Sequence, residues 1–248
     1  MFSFFVHRNR FNFKDIGLKC DIHSHILPGV DDGSGDISTS LTILRRMSDM
    51  GVERFVLTPH VSSGLYPNRT EMLKLELSRL QSSLDDDLKS RIQLHLGSEY
   101  MIDEDFLAID EKLHYQNKRI LVEMSYSQRS INLLDVIFQL VEDGYEPVLA
   151  HPERYTFYYG YKGPSAVEEL EKLIDMGCMF QLNIMSLTGA YGPASLANLK
   201  YFLDHDWYSF IATDVHSPLQ LDKFTGFKVN PAQFEKVRAL AQANEQLF

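Results

Sequence analysis

Cysteine is scarce in this chain: Cys20 and Cys178 are the two among 248 residues. Two thiols cannot build a disulfide framework, and a reducing cytoplasm fits. After Cys178 and five further residues comes Ile184, where the thiol-phosphatase signature would place an arginine. Cys178 therefore reads as an inert, buried strand residue. Positive charge is in deficit as well. The 24 Lys and Arg against 34 Asp and Glu leave a net charge of −10, which argues against a nucleic-acid surface. Apolar runs stay short of the roughly 18 to 20 residues that cross a bilayer. The opening stretch 1–6 is apolar, but His7-Arg8-Asn9-Arg10 follows it, the reverse of a secretory signal, and no small-residue cleavage site comes after. Residues 1–17 read as an N-terminal arm laid on the body or on a neighbouring subunit. Internal repeats and Gly/Ser linkers are missing, and the 44% hydrophobic content suffices for a large core. Residues 18–248 read as one domain.

Short β-like runs alternate with helical patterns. The spacing predicts strands over 18–23, 54–58, 91–96, 119–123, 147–150, 178–182 and 208–213. Between them, Asp36 suits an N-cap, with Ile37, Leu41, Leu44 and Met47 on one helical face. Thr70 opens a helix with Leu73, Leu77, Leu80 and Leu84 on one side, and 131–143 is helical up to Gly144. Ser165 to Glu168 has the capping-box pattern, Pro193 suits a first helical turn, and Asn230-Pro231 starts a last helix with Phe234, Val237 and Leu240 inward. Strands separated by helices imply parallel pairing with right-handed crossovers. About seven such units predict an α/β barrel related to the eight-unit form.

The chemistry sits at the strand ends. His23 and His25 stand two residues apart at the end of the first run, so their side chains share one face. Downstream runs end on His60, Glu99, Glu123, His151, and Asp214 with His216. The C-terminal rim of an α/β barrel is where loops converge on an active site. Nitrogen and carboxylate donors without thiolate suit Zn, Mn or Fe. Eight donors exceed the needs of one ion and suit two or three bridged by carboxylates, which activate water near neutral pH and stabilise a leaving oxygen. Asp31-Asp32-Gly33 is either a turn before the helix or, through Asp32, a further ligand. Arg154 is either a clamp on phosphate oxygens or half of an ion pair with Glu153 or another acid. The aromatic stretch Tyr155 to Tyr161 is either a stacking rim for a peptide or an oligomer contact.

These residues resemble the polymerase and histidinol phosphatase (PHP) superfamily, and within it the capsule-associated, metal-dependent protein-tyrosine phosphatases of bacteria. Asp21-Ile22-His23-Ser24-His25, Val30-Asp31-Asp32-Gly33, Thr58-Pro59-His60, Gly97-Ser98-Glu99-Tyr100, Leu121-Val122-Glu123, His151-Pro152-Glu153-Arg154-Tyr155 and Thr213-Asp214-Val215-His216 carry the resemblance, in family order. It implies a distorted, TIM-like (β/α)7 barrel of the PHP type with a trinuclear centre, Mn being the expected metal and Fe or Zn the alternatives. His23, His25, His60, Glu99, Glu123, His151, Asp214 and His216 would be the ligands. Asp32 would serve as ligand or proton donor, and Arg154 would bind the phosphoryl group. Two arginine positions of some members are missing: the loop after His60 is Val61-Ser62-Ser63-Gly64-Leu65-Tyr66, and Lys223 is the first cation after His216. A lysine there is a point charge and does not reproduce a forked contact.

The implied reaction is direct phosphomonoester hydrolysis without a phosphoenzyme. The implied substrate is the phosphorylated cytoplasmic tail of a bacterial tyrosine kinase that controls capsule or exopolysaccharide synthesis. That partner would bring the protein near the membrane, and a homo-oligomer is compatible with the arm. The rivals are histidinol-phosphate or other small-molecule phosphatase activity, and a metal-binding regulator that docks a kinase tail without turnover. A nuclease role is disfavoured by the net charge.

Overall fold

The computed structural model describes residues 11–160, 164–224, 227 and 229–248, with the side chains of 164 and 165 left aside. In chain order the strands are β1 (Cys20–Asp21), β2 (Arg54–Leu57), β3 (His60–Val61), β4 (Gln93–Leu96), β5 (Glu99–Met101), β6 (Arg119–Glu123), β7 (Glu146–Ala150), β8 (Met179–Asn183) and β9 (Tyr208–Ala212). They form two parallel sheets, β1-β2-β4 and β3-β5-β6-β7-β8-β9. The α/β class and the parallel pairing agree with the alternation of runs and helices in the sequence. All seven predicted runs carry strand, several of them shorter than predicted.

Two of the runs behave differently from the expectation. Each breaks after four residues and resumes in the other sheet: β2 passes to β3 across Thr58-Pro59, and β4 to β5 across Gly97-Ser98. Pro59 has no N–H to give to a ladder. Gly97 runs so close to β2 that a Cβ would lie 3.1 Å from Val56 Cγ1. The switch is what sets His60 opposite Glu99 in register, and Glu99 opposite Leu121. Just past β1 and β9 the two strand runs meet. Ser24 and Val215 form a parallel bridge, the His25 N–H donates to the Val215 carbonyl at 2.9 Å, and the Asp214 N–H donates to that of His23 at 2.9 Å. First and last strands thus deliver their polar ends side by side.

Helices cover the sheets with the faces their spacing dictates. In Ile37–Asp49 the Asp36 side chain accepts the Thr39 N–H, and Ile43, Leu44 and Met47 are buried. The apolar face is rotated slightly from the predicted one, since Ile37 and Leu41 stay part-exposed. Leu133–Glu142 buries Leu133, Val136, Ile137 and Leu140. Pro231–Ala243 starts from an Asn230–Gln233 capping box and buries Val237 and Leu240. The predicted cap at Ser165 lies outside the described side chains, and residues 1–10 of the arm lie outside the described residues. The rest of the arm packs on the body: Phe13 and Ile16 are fully buried, and Phe11 stacks on Phe234 at 4.2 Å.

Candidate metal centre

The strand ends converge on one spot. The Nε2 atoms of His23 and His25, both on the β1 run, stand 3.2 Å apart. Glu99 Oε2, from the start of β5, is 3.1 Å from the first and 3.3 Å from the second. Asp214 Oδ1, just past β9, is 3.3 Å from each. His60 Nδ1 lies 3.1 Å from Glu99 Oε2 and 2.9 Å from Glu123 Oε1. At the mouth, Asp32 Oδ1 is 3.6 Å from both His60 Nε2 and His216 Nε2. His151 Nε2 approaches Glu99 Oε1 at 3.0 Å from the far side.

Donor atoms therefore fall into three overlapping sets, each spanning no more than 4.8 Å: His23, His25, Glu99 and Asp214; His60, Glu99 and Glu123; His25, Asp32, His60 and His216. Glu99, His25 and His60 each belong to two sets. His151 is beside the cluster without joining a set.

The chemistry of the first set demands a cation. The Nδ1 of His23 is 2.9 Å from the Gln181 side-chain oxygen, and that of His25 is 2.7 Å from Asp31 Oδ2. Both oxygens only accept, so each Nδ1 holds a proton and donates. Both neutral Nε2 atoms are then bare lone pairs. They face two carboxylate oxygens, also acceptors, in a fully buried space. Glu99 Oε2 is buried and has no hydrogen-bond donor among the described residues. Four acceptors do not share a dry site without positive charge between them. A divalent ion fits this donor set, as protons do in its place. Burial pushes the His23 imidazole down, but the Glu99 and Asp214 carboxylates outweigh it and lift it to about 9. Burial resists charge on Glu99 and Asp214 too, yet the surrounding imidazoles hold both well below the usual carboxylate range. Glu123, buried and next to the charge of Glu99, is pushed up to about 7.

The surroundings aim these groups. Asp31 takes the His25 Nδ1–H, the Gly33 N–H at 3.0 Å and the His60 N–H at 3.0 Å. Burial opposes its charge, but the His25 imidazole and these donors hold it at about 2. Gly33 lies against His25 so tightly that a Cβ would sit 2.1 Å from the His25 carbonyl oxygen. His151 and Asp214 both have positive φ, 35° and 52°. Such strain in side chains with a Cβ costs about 1–3 kcal/mol each and collects at functional sites.

Arg154 lines the cavity beside the cluster. Its guanidinium lies 4.2 Å from the Tyr126 ring centre and 4.0 Å from that of Tyr191, and Nη1 donates to Asp214 Oδ2 at 2.5 Å. Glu153, the acid named for an ion pair with it, is not its partner; Asp214 is. The Glu153 carboxylate is fully buried and accepts from the Asn183 N–H, the Ser186 hydroxyl and the Tyr208 hydroxyl. Burial without a cation pushes Glu153 up.

The predicted aromatic rim is corrected at two of its residues. Tyr155 and Tyr158 are buried, and the Tyr155 hydroxyl takes the Met124 N–H and donates to the Ala150 carbonyl. These two are core, while Phe157 and Tyr159 are part-exposed. Tyr161 is outside the described residues. The rings that do face the cavity are Tyr66, Tyr126 and Tyr191. Sequence reasoning passed over these three, as it did Gln181 and the orienting role of Asp31. The Asp-Asp pair was the one available signal. The cavity measures about 580 Å³ and also exposes Asp32, His60, Glu123, Arg154, Asp214, His216 and Gln220. Lys223 is not among the residues lining it. Among the described residues, no helix is long and apolar enough to cross a membrane.

A parallel α/β fold whose strand ends gather imidazoles and carboxylates is the frame of a metal-dependent hydrolase, and the chain is similar to proteins of the PHP type. The sequence matches the capsular polysaccharide synthesis CpsB/CapC family over residues 19–221, and the chain belongs to that family. It is 31% identical to tyrosine-protein phosphatase YwqE of Bacillus subtilis over 203 residues, 79% of this chain and 77% of the relative. A crystal structure from work on YwqE of Bacillus subtilis and CpsB of Streptococcus pneumoniae, described there as metal-dependent tyrosine phosphatases, superposes with a TM-score of 0.77 at 26% identity, covering 92% of this chain and 93% of the other. The histidinol phosphate phosphatase of Lactococcus lactis shares the fold, with a TM-score of 0.54 at 16% identity over 92% of this chain and 94% of the other.

Proposed function

We propose that the chain is a metal-dependent phosphomonoesterase acting on phosphotyrosine in protein. The carrying observation is the joint placement of three overlapping donor sets and an aromatic-flanked arginine in one open cavity. The relatives' names favour phosphotyrosine over histidinol phosphate as the substrate.

His23, His25, His60, Glu99, Glu123, His151, Asp214 and His216 would hold two or three divalent ions, Mn before Fe or Zn, with Glu99 shared between sets. Bound there, such ions supply a nucleophile from water at neutral pH and Lewis-acid stabilisation of the phosphoryl oxygens. Arg154 keeps its orientation through Tyr126, Tyr191 and Asp214, and offers its remaining N–H groups to the equatorial oxygens. Tyr126 and Tyr191 also wall the cavity with apolar surface that suits a phenyl ring. Asp32, at the mouth, would hand a proton to the departing tyrosyl oxygen. No side chain need be phosphorylated in this scheme, and both thiols are buried elsewhere.

The finer architecture belongs to the same reading: a barrel of the PHP type over 18–248, closed where Ser24 meets Val215, with 1–17 as an arm. The physiological substrate would be the phosphorylated tail of a cytoplasmic tyrosine kinase. The test is steady-state hydrolysis of a phosphotyrosine peptide and of histidinol phosphate, side by side, with Mn and with chelator. Chelator-sensitive turnover favouring the peptide is expected. Preference for histidinol phosphate would overturn the substrate, and turnover of neither would overturn the activity.

A further inference from the structure

A second groove opens from the wall of the catalytic cavity. It measures about 490 Å³ and shares Ser62, Leu65, Met101 and Ser125 with that cavity. Beyond those four residues it runs between the turn 102–104 and the segment 128–132. Two aliphatic side chains in its lining are strongly exposed, Leu65 at 78% and Ile131 at 89%. Exposed aliphatic groups lining one groove offer apolar surface that a bound chain can cover.

The unpaired charge of the groove is negative. Arg129, the cation in its lining, is paired with Glu169. Asp103 accepts from the Ser63 N–H and hydroxyl and from the Asp105 N–H, which ties down the turn. Glu104 has no hydrogen bond or ion pair among the described residues, and its side chain is exposed in the lining. The groove therefore offers apolar surface followed by an uncompensated carboxylate.

We propose that this groove seats the polypeptide that flanks the substrate phosphotyrosine, with an aliphatic or aromatic residue against Leu65 and Ile131 and a basic residue against Glu104. This rests on the phosphotyrosine-protein reading above and deepens it. A phosphotyrosine ring in the cavity is tethered to a chain that must leave it, and the shared wall at Ser62, Leu65, Met101 and Ser125 makes the groove a continuous exit. An incoming peptide there gains apolar burial and one charge pair at the rim. A small phosphate ester fills the cavity alone and gains neither.

The test uses the full-length, metal-loaded protein and three substrates: p-nitrophenyl phosphate, a phosphotyrosine decapeptide flanked by leucine and lysine, and the same peptide with glutamate for lysine. Ile131→Ser and Glu104→Lys both alter exposed side chains outside the catalytic cavity. Ile131→Ser should lower kcat/KM for both peptides about fivefold, mainly through KM, and leave p-nitrophenyl phosphate unchanged. Glu104→Lys should reverse the preference between the lysine and glutamate peptides, with the contrast shrinking in high salt. Equal effects on all three substrates, or none on the peptides, would overturn the groove assignment. So would an Ile131→Ser variant that changes the sedimenting mass and not the peptide kinetics, since a second copy of the chain would then be the occupant. A wild-type protein that cleaves p-nitrophenyl phosphate but neither peptide overturns the phosphotyrosine-protein reading itself, before any variant is made.

Discussion

The floor of the candidate centre and its mouth differ in how their side chains are held. At the floor, the His23, His25 and Glu99 side chains are 0% exposed and Asp214 is 2% exposed. Each imidazole there is tied at Nδ1 to a fixed acceptor, Gln181 or Asp31. At the mouth, His60 and His216 are 13% and 21% exposed and Asp32 is 55% exposed. The floor is a pre-built cage whose geometry is paid for by burial and by strained backbone. The mouth leaves the Asp32 side chain open to solvent, 3.6 Å from His60 and from His216. Arg154 joins the two, buried at Asp214 and open to the cavity.

Breaking the floor should cost most. Glu99→Gln removes the carboxylate shared by two donor sets, and turnover should fall by about a thousandfold or more, with metal content lost by elemental analysis. Retained metal at normal stoichiometry would show that Glu99 is dispensable to the cage. Next in size is the link between floor and mouth. Arg154→Lys keeps the charge but loses the fork and the stacking between Tyr126 and Tyr191, and kcat/KM for a phosphotyrosine peptide should fall about a hundredfold. A lysine variant of near wild-type activity would reduce the clamp to a point charge.

Gly33→Ala tests the support behind the floor. A Cβ driven onto the His25 carbonyl must displace that histidine or its loop, costing about 2–3 kcal/mol of stability. Thermal melting should drop by several degrees, and metal affinity should weaken with it. Asp31→Asn is gentler, because an amide oxygen still accepts from His25 Nδ1. Metal affinity measured by competition with a chelating dye should fall about tenfold. The smallest effect is expected away from the comparison altogether. Burial pushes the Cys20 and Cys178 thiols up to about 12. A raised thiol pKa leaves the neutral form dominant at every pH below it, so iodoacetamide at pH 8 should label neither in the folded protein, and Cys178→Ser should keep full activity. Inactivation by the reagent would reopen thiol chemistry.

Much of the donor list was legible because metal sites at strand ends obey a local rule. A polar residue closing an apolar run stands out in one dimension, which is how His60, Glu99 and Glu123 were singled out. The helices at 37 and 231 were legible through caps and spacing, and the one at 133 through its stop at Gly144. What failed was anything set by a distant partner. Tyr155 and Tyr158 sit in an aromatic-rich stretch that reads as a surface feature, yet the core claims them, while Tyr126 and Tyr191, plain in sequence, meet at Arg154. Asp31 and Asp32 are neighbours with opposite orientations, and only the position of His25 separates an orienting carboxylate from one at the mouth.

By itself, then, the sequence determined the α/β class and marked the polar residues that close the strand runs, since each depends on residue type and spacing along a few turns or strands. The tertiary structure alone decided which donors share a set, that the runs at 54 and 93 switch sheets, and that Glu153 is buried while Arg154 reaches the cavity. Those outcomes depend on the parallel register that brings residue 60 beside 99, and on the backbone bonds that set 23 beside 214. Contacts across such separations are fixed when the whole core closes, and no local stretch of chain encodes them.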